Sequence, residues 1–145
     1  GAAKERLYRE LMAPRLAESM VPGVAAFLER HAHVPKGVAS NAELANIEFV
    51  LEGSGLRGHF DVLVDPRQVR RPKPDPEIYL RATELLGARP AECVIFEDSP
   101  AGLAAARACG ARVVAVNTAR VELPDADLLV NDFLDPGLEP WLRTT

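Results

Sequence analysis

Cys93-Val-Ile-Phe-Glu-Asp-Ser-Pro-Ala-Gly102 is the run on which the fold turns. Its first four residues are apolar and too few for a helix, so they predict a short buried strand. Glu97 and Asp98 follow at once, two adjacent carboxylates. Ser99-Pro100 then opens a helix, with Ser as N-cap and Pro at the first helical position. Gly110 ends that helix. Strand, acidic turn and helix follow one another with no spacer.

The same grammar extends in both directions. Upstream, Asp75-Pro76-Glu77 starts a helix whose inner face is Ile78, Ala82, Leu85 and Leu86, closed by Gly87. A Pro- and Arg-rich loop, Pro66 to Pro74, precedes it. Phe60 to Asp65 and Lys36 to Ser40 predict strands, joined by a helix from Asn41 to Leu51 with Leu44, Ile47 and Leu51 at helical spacing. Another helix follows Pro22-Gly23 and turns Val24, Phe27 and Leu28 inward. Residues 4–19 predict a helix with Leu7, Tyr8, Leu11 and Met12 on one face, kinked or ended by Pro14. Downstream, Arg112 to Val116 and Leu128 to Val130 are strands, and 136–142 is a short helix with Trp141 as a packing residue. Short apolar strands alternating with longer helices predict an α/β fold built on a parallel sheet. Ligands of such sheets sit beyond the carboxyl ends of the strands.

Composition narrows the function. The chain has 145 residues, 48% of them hydrophobic and 26% charged, enough apolar content for a core and unlike a disordered segment. Its net charge of −4 offers no general attraction to nucleic acid or an anionic membrane. No uncharged apolar run approaches the roughly 20 residues of a membrane span. The opening residues have no apolar core of a secretory signal. Two cysteines, Cys93 and Cys109, are too few for a disulfide framework, so a reduced cytoplasmic setting is expected. No internal repeat or low-complexity tract interrupts the pattern.

Three polar clusters fall at the predicted strand ends. Ser40-Asn41 follows Val38-Ala39, Lys73 lies in the Pro-rich loop, and Glu97-Asp98-Ser99 follows Val94-Ile-Phe96. Together they offer a hydroxyl beside a helix N-terminus, a cation and two carboxylates. A phosphoryl group takes hydrogen bonds from such a hydroxyl and its neighbouring backbone N–H groups. Lys73 can offset charge on that group. Mg2+ takes hard oxygen ligands, typically one or two carboxylates with waters and phosphate. Each cluster alone also has a bland reading: a helix cap, a solvated lysine, acids favouring a helix dipole.

The order Lys73-Pro-Asp-Pro-Glu-Ile-Tyr79, Phe96-Glu-Asp-Ser-Pro-Ala-Gly102, Ala105-Ala106 and Gly110 resembles the haloacid dehalogenase superfamily. Within it, the chain is similar to the β-phosphoglucomutase and phosphoglycolate phosphatase-like branch. Val38-Ala39-Ser40-Asn41 matches the family's second motif, Lys73 the third, and Glu97-Asp98 the fourth, metal-binding one. Phe60-Asp61 and Pro22-Gly23 fit as well, and the likeness runs from about Leu11 to Val130. Pro72 departs from it, where the family has Gly before the Lys. The resemblance implies a doubly wound parallel sheet, a Rossmann-like core. It implies a Mg2+-dependent phosphatase or phosphomutase acting on a small phosphorylated metabolite. It assigns Ser40 and Asn41 to the phosphate, Lys73 to phosphate and nucleophile charge, and Asp98 with Glu97 to the metal.

The family's reaction also needs an Asp-x-Asp at the end of the first strand: one Asp attacks phosphorus and the other serves as acid and base. Asp125-Ala-Asp127 has the spacing but precedes a strand, and neither Asp61 with Asp65 nor Asp132 with Asp135 fits. Residues 1–20 align with the end of the family's helical cap and its return segment, and 21–145 with a core lacking its first strand. The resemblance implies strand order 3-2-1-4-5, so the Val38 and Val94 strands lose their shared neighbour. Direct pairing, a strand from another chain, or a longer protein would satisfy them; the last is preferred. Little or no turnover is expected of this chain. A non-catalytic binding or assembly module, self-associating through the open sheet, is the alternative.

The remaining polar residues carry bland expectations. His31 and His33 do not share a helix face, and positive charge near a helix C-terminus is a better account of the pair than a metal site. His59 is expected in solvent, and Cys93 and Cys109 in the core. Arg67, Arg70 and Arg71 form a solvated patch, or help to attract an anionic substrate.

Overall fold

The computed structural model describes residues 10–12, 21–118, 122–123 and 126–144. Among them, β1 (Glu10–Met12), β2 (Lys36–Ala39), β3 (Val62–Val64), β4 (Val94–Glu97), β5 (Arg112–Val116) and β6 (Leu128–Val130) form one parallel sheet in the order β3-β2-β1-β4-β5-β6. The chain steps outward from β1 to β3, then crosses back to β4 and steps outward on the other side. β1 is thus the topological switch point, where α/β sheets place their ligands.

The helices are α1 (Val24–Arg30), α2 (Leu44–Gly53), α3 (Glu77–Leu85), α4 (Pro100–Cys109) and α5 (Leu138–Leu142). They cover both faces, and the period-2 alternation of the strands sorts residues between them. On one side Val94 and Phe96 of β4 and Val114 and Val116 of β5 pack with Val24, Phe27 and Leu28 of α1, Ile47 and Leu51 of α2, and Leu138 and Leu142 of α5. On the other, Ile95, Val113 and Ala115 pack with Ile78, Tyr79 and Ala82 of α3 and Leu103, Ala105 and Ala106 of α4. Phe27, Phe96 and Phe133 meet at ring-centroid distances of 5.0–5.6 Å. Burial on both faces explains why the strands read as continuous apolar runs.

Helix ends follow the sequence where the cap is local. Ser99 Oγ accepts from Gly102 N at 3.1 Å, Pro100 is the first residue of α4, and Gly110 closes it at φ 96°, a left-handed value that suits glycine. Asp75 Oδ1 accepts from Glu77 N at 2.9 Å, and α3 starts at Glu77, one residue past Pro76. Trp141 is half-buried against the core, with the Arg112 guanidinium 4.0 Å over its ring.

Two expectations are corrected. Residues 10–12, placed by periodicity within a helix over 4–19, form a strand. Glu10 pairs with Lys36 and Val94, Leu11 with Gly37 and Ile95, and Met12 with Val38 and Phe96. The reason is non-local: the inward edges of β2 and β4 would otherwise carry buried unpaired N–H and C=O groups, a larger penalty than any helix propensity of three residues. The slot expected to be empty is therefore filled by this chain, and 10–12 belong to the core sheet. The rest of the segment 1–20 read as a cap remnant, Pro14 included, lies outside the described residues.

The second correction concerns α2, which starts at Leu44 instead of Asn41. Leu44 N donates to Asp65 Oδ2 (3.1 Å), a cap supplied from the end of β3, while Ser40 Oγ accepts from Ala42 N (2.9 Å) in the turn before the helix. Among the described residues no helix is long and apolar enough to cross a membrane.

Candidate active site at the carboxyl ends of the strands

Ser40, Asn41, Lys73, Glu97 and Asp98 converge around the carboxyl ends of β2 and β4. Ser40 is buried just past β2, and its N–H donates to Val64 O of β3 at 3.0 Å, which extends the ladder by one bond and fixes where the hydroxyl leaves the sheet. Asn41 is exposed. Its Oδ1 accepts from the Lys73 backbone N–H at 3.3 Å, tying the β2 turn to the loop before α3. In that loop the Lys73–Pro74 peptide bond is cis.

Lys73 enters the site from the side. Its Nζ donates to Ala39 O at the end of β2 (3.1 Å) and to Glu97 Oε2 at the end of β4 (2.6 Å), and its side chain is 8% exposed. The cation thus bridges the two strands that flank β1.

Glu97 is fully enclosed. Oε2 takes Lys73 Nζ and the Tyr79 hydroxyl; Oε1 takes Asp98 N (3.1 Å) and Ser99 Oγ (3.4 Å). Four donors meet the roughly four acceptor positions of a carboxylate. Its path is open only because residue 102 is glycine: a Cβ there would lie 2.0–2.3 Å from the Glu97 carboxyl atoms. Tyr79 is fully buried. Burial, and then the Glu97 charge and bond, push its phenol well above the usual value, so it remains a neutral donor.

These donors test the expected Mg2+ site. Asp98 is a buried carboxylate among strand-end polar groups, the hard-oxygen chemistry Mg2+ takes, and one or two protein carboxylates suffice when phosphate and water complete the shell. Asp98 fits. Glu97, its expected companion, ligates a metal only by surrendering one of its four donors. Among the described residues no group of three or more His, Cys, Asp or Glu side chains is gathered to hold a metal.

The Asp-x-Asp has no counterpart on the central strand. The residues that follow β1 in sequence are Ala13, Pro14 and Arg15, none a carboxylate.

Other expectations resolve by burial. His31 is buried at the end of α1, where burial holds its pKa below the usual value despite Nε2 lying 3.0 Å from Glu139 Oε1. It is neutral near pH 7, and the charge at that helix end is Arg30, 3.1 Å from the same carboxylate; this corrects the expected His31 cation. His33 is exposed, and His59 is partly buried in a short 3-10 turn. Cys93 and Cys109 are buried as expected. Burial pushes the Cys109 thiol up to about 11. In the basic loop Arg67 pairs with Asp65 (2.9 Å) and Arg71 with Asp75 (3.7 Å), while Arg70 uses its backbone N–H to reach Glu77. Two of the three arginine charges are locally balanced, which favours the solvated-loop reading.

Sequence reasoning missed Tyr79 and Gly102 as parts of the site. A signal for Tyr79 was present: it follows Ile78 on the inner face of α3, and a buried tyrosine needs a partner for its hydroxyl.

Comparison with known proteins agrees with this geometry. Residues 2–110 match the haloacid dehalogenase-like hydrolase family. The chain is 32% identical over 138 residues to β-phosphoglucomutase of Bacillus subtilis (strain 168), covering 94% of this chain and 60% of that protein. It is 38% identical over 112 residues to the bifunctional riboflavin kinase/FMN phosphatase of Arabidopsis thaliana, covering 74% of this chain and 30% of that protein. The crystal structure of CbbY from Rhodobacter sphaeroides in complex with phosphate superposes with a TM-score of 0.74 at 30% identity, over 86% of this chain and 60% of that one. The chain thus spans between about a third and three fifths of the length of these relatives. With the motif residues converging at the switch point of a doubly wound sheet, the chain belongs to the haloacid dehalogenase-like hydrolases, in their phosphatase and phosphomutase branch.

Proposed function

We propose that this chain carries the phosphate-binding and metal-binding side of a Mg2+-dependent phosphatase or phosphomutase site for a small phosphorylated sugar, in the cytoplasm. One observation carries the reading: Lys73 Nζ sits between Ala39 O and Glu97 Oε2, so a buried cation stands at the carboxyl ends of the strands flanking β1. The Ser40 hydroxyl donates to a phosphate oxygen, and Asn41 beside it ties the Lys73 loop to the β2 turn. Lys73 offsets charge as phosphoryl oxygens gain it. Asp98 holds Mg2+, with Glu97 joining when it releases a donor; the ion supplies charge neutralisation at the phosphoryl group. The sugar class follows from the β-phosphoglucomutase likeness.

Turnover needs a nucleophile, and none of Ala13, Pro14 and Arg15, the residues that follow β1 in sequence, is a carboxylate. Calorimetric titration of Mg2+ into the chain tests the metal assignment. Binding at sub-millimolar to millimolar concentration, lost in Asp98→Asn, is expected; equal binding by both proteins sinks it. Hydrolysis of p-nitrophenyl phosphate is expected to stay at background. A Mg2+-dependent activity lost in Asp98→Asn would overturn the inactivity while sparing the site. The lack of a carboxylate among residues 13–15 also favours a second reading, a module that kept the fold without the chemistry and assembles with another copy. It predicts a dimer, and sedimentation as a monomer removes it.

A further inference from the structure

We propose that Tyr79 is a positioning residue for Lys73: its hydroxyl donates to the same Glu97 oxygen that receives Lys73 Nζ, and so fixes the carboxylate that aims the lysine. The inference rests on the reading of Lys73 as the phosphate's cation and concerns what holds that cation in place.

Three walls define the Glu97 carboxylate. The Tyr79 hydroxyl and Lys73 Nζ hold Oε2, and the Asp98 N–H and Ser99 hydroxyl hold Oε1. Gly102 closes the third side, since a Cβ there would fall on the carboxyl group itself. The Tyr79 ring also lies under the lysine, 4.9 Å from Nζ to its centroid, within cation–π range. Tyr79 therefore touches the cation twice, through its ring and through Glu97. It is anchored independently of both, on α3 among Ile78, Ala82 and the strand residues Ile95 and Ala39. Removing the hydroxyl leaves Oε2 with one fewer donor while the Asp98 N–H and Ser99 still hold Oε1, so the carboxylate tilts at its Oε2 end and Lys73 follows it. The ring and its packing remain in phenylalanine, so the hydroxyl's contribution separates from its volume.

The chain's three lysines, Lys4, Lys36 and Lys73, make the test specific. Lys36 serves as an internal control: it is buried at the opposite end of β2, with Nζ donating to Val34 O at 2.9 Å. Side-chain 15N-lysine NMR of the full chain is recorded for the unsubstituted protein, Tyr79→Phe and Gly102→Ala, with Lys73→Arg assigning the resonance. Each spectrum is repeated with inorganic phosphate and Mg2+. In phosphate-free buffer, both variants are expected to shift or broaden the Lys73 Nζ signal and leave Lys36 in place. About tenfold more phosphate is then needed to reach half of the Lys73 response. An unmoved Lys73 signal in Tyr79→Phe overturns the proposal, as does a Lys36 signal that moves with it, which would mean general loosening. If phosphate leaves Lys73 unmoved in the unsubstituted protein, the phosphate reading fails, and the phosphate-free spectra still decide whether Tyr79 positions the lysine.

Discussion

Replacing Lys73 by methionine removes the only cation that the Glu97 carboxylate contacts among the described residues, and keeps most of the apolar stem. Glu97 is 1% exposed, and the lysine side chain 8%. Breaking a buried ion pair by deleting one partner destabilises by about 3–5 kcal/mol, because the survivor is left charged and out of water. Here Tyr79, Asp98 N and Ser99 still donate to Glu97, which places the effect near the lower end. About 3 kcal/mol at pH 7 corresponds to a change of roughly 150-fold in the folded-to-unfolded ratio. Urea unfolding followed by far-UV circular dichroism reads it directly, with an unchanged slope confirming the same extent of unfolding. The double variant Lys73→Met/Glu97→Gln removes the stranded charge and is expected to recover all but about 1 kcal/mol, the net value of an ordinary lost hydrogen bond. A single variant within about 1 kcal/mol of the unsubstituted protein, or a double variant no more stable than the single, refutes the reasoning.

Phe27→Ala, fully buried against Phe96 and Phe133, is expected to destabilise by about 3–5 kcal/mol in the same assay. His31 is held neutral by burial, so its folded pKa lies below its unfolded value. The unfolded chain binds the extra proton first, and stability is expected to fall as pH drops below about 6.5. His31→Gln should flatten that slope, as measured by unfolding midpoints between neutral and mildly acid pH. Cys109, with its thiol pushed up to about 11, is expected to react with iodoacetamide only as the protein unfolds. Rapid labelling under native conditions would contradict its burial.

Much of the fold is legible locally. Ser99-Pro100 and Gly110 mark α4 because an N-cap, a proline at the first position and a left-handed C-cap act within a few residues. The period-2 division of β4 and β5 between two cores is likewise implicit in their continuous apolar runs. β1 is not legible in the same way. Glu10-Leu11-Met12 carries no β-branched residue, and its strand state comes from pairing with β2 and β4, which are far away in sequence. The start of α2 depends on Asp65 across the sheet, and the neutrality of His31 on burial beside α5. Neither is a property of the local sequence.

The candidate site divides along the same line. Ser40, Lys73, Glu97 and Asp98 could be placed together because each follows a strand or precedes a helix, and topology brings strand ends to one edge. What Glu97 touches could not be placed: the Tyr79 hydroxyl and the space left by Gly102 depend on how α3 and α4 dock over β4. Residue types and their order located the cluster at the strand ends, whereas its hydrogen-bonded arrangement came only with the packing.

The central claim is that the strand ends bind a phosphoryl group between Ser40 and Lys73 with Mg2+ at Asp98. A crystal structure of the full chain grown with Mg2+ and tungstate, a phosphate mimic located by its anomalous signal, tests it most directly. The account predicts the anion within hydrogen-bond distance of Ser40 Oγ and Lys73 Nζ, with the metal on the Asp98 carboxylate. Tungstate bound elsewhere, or a metal that ignores Asp98, would contradict it.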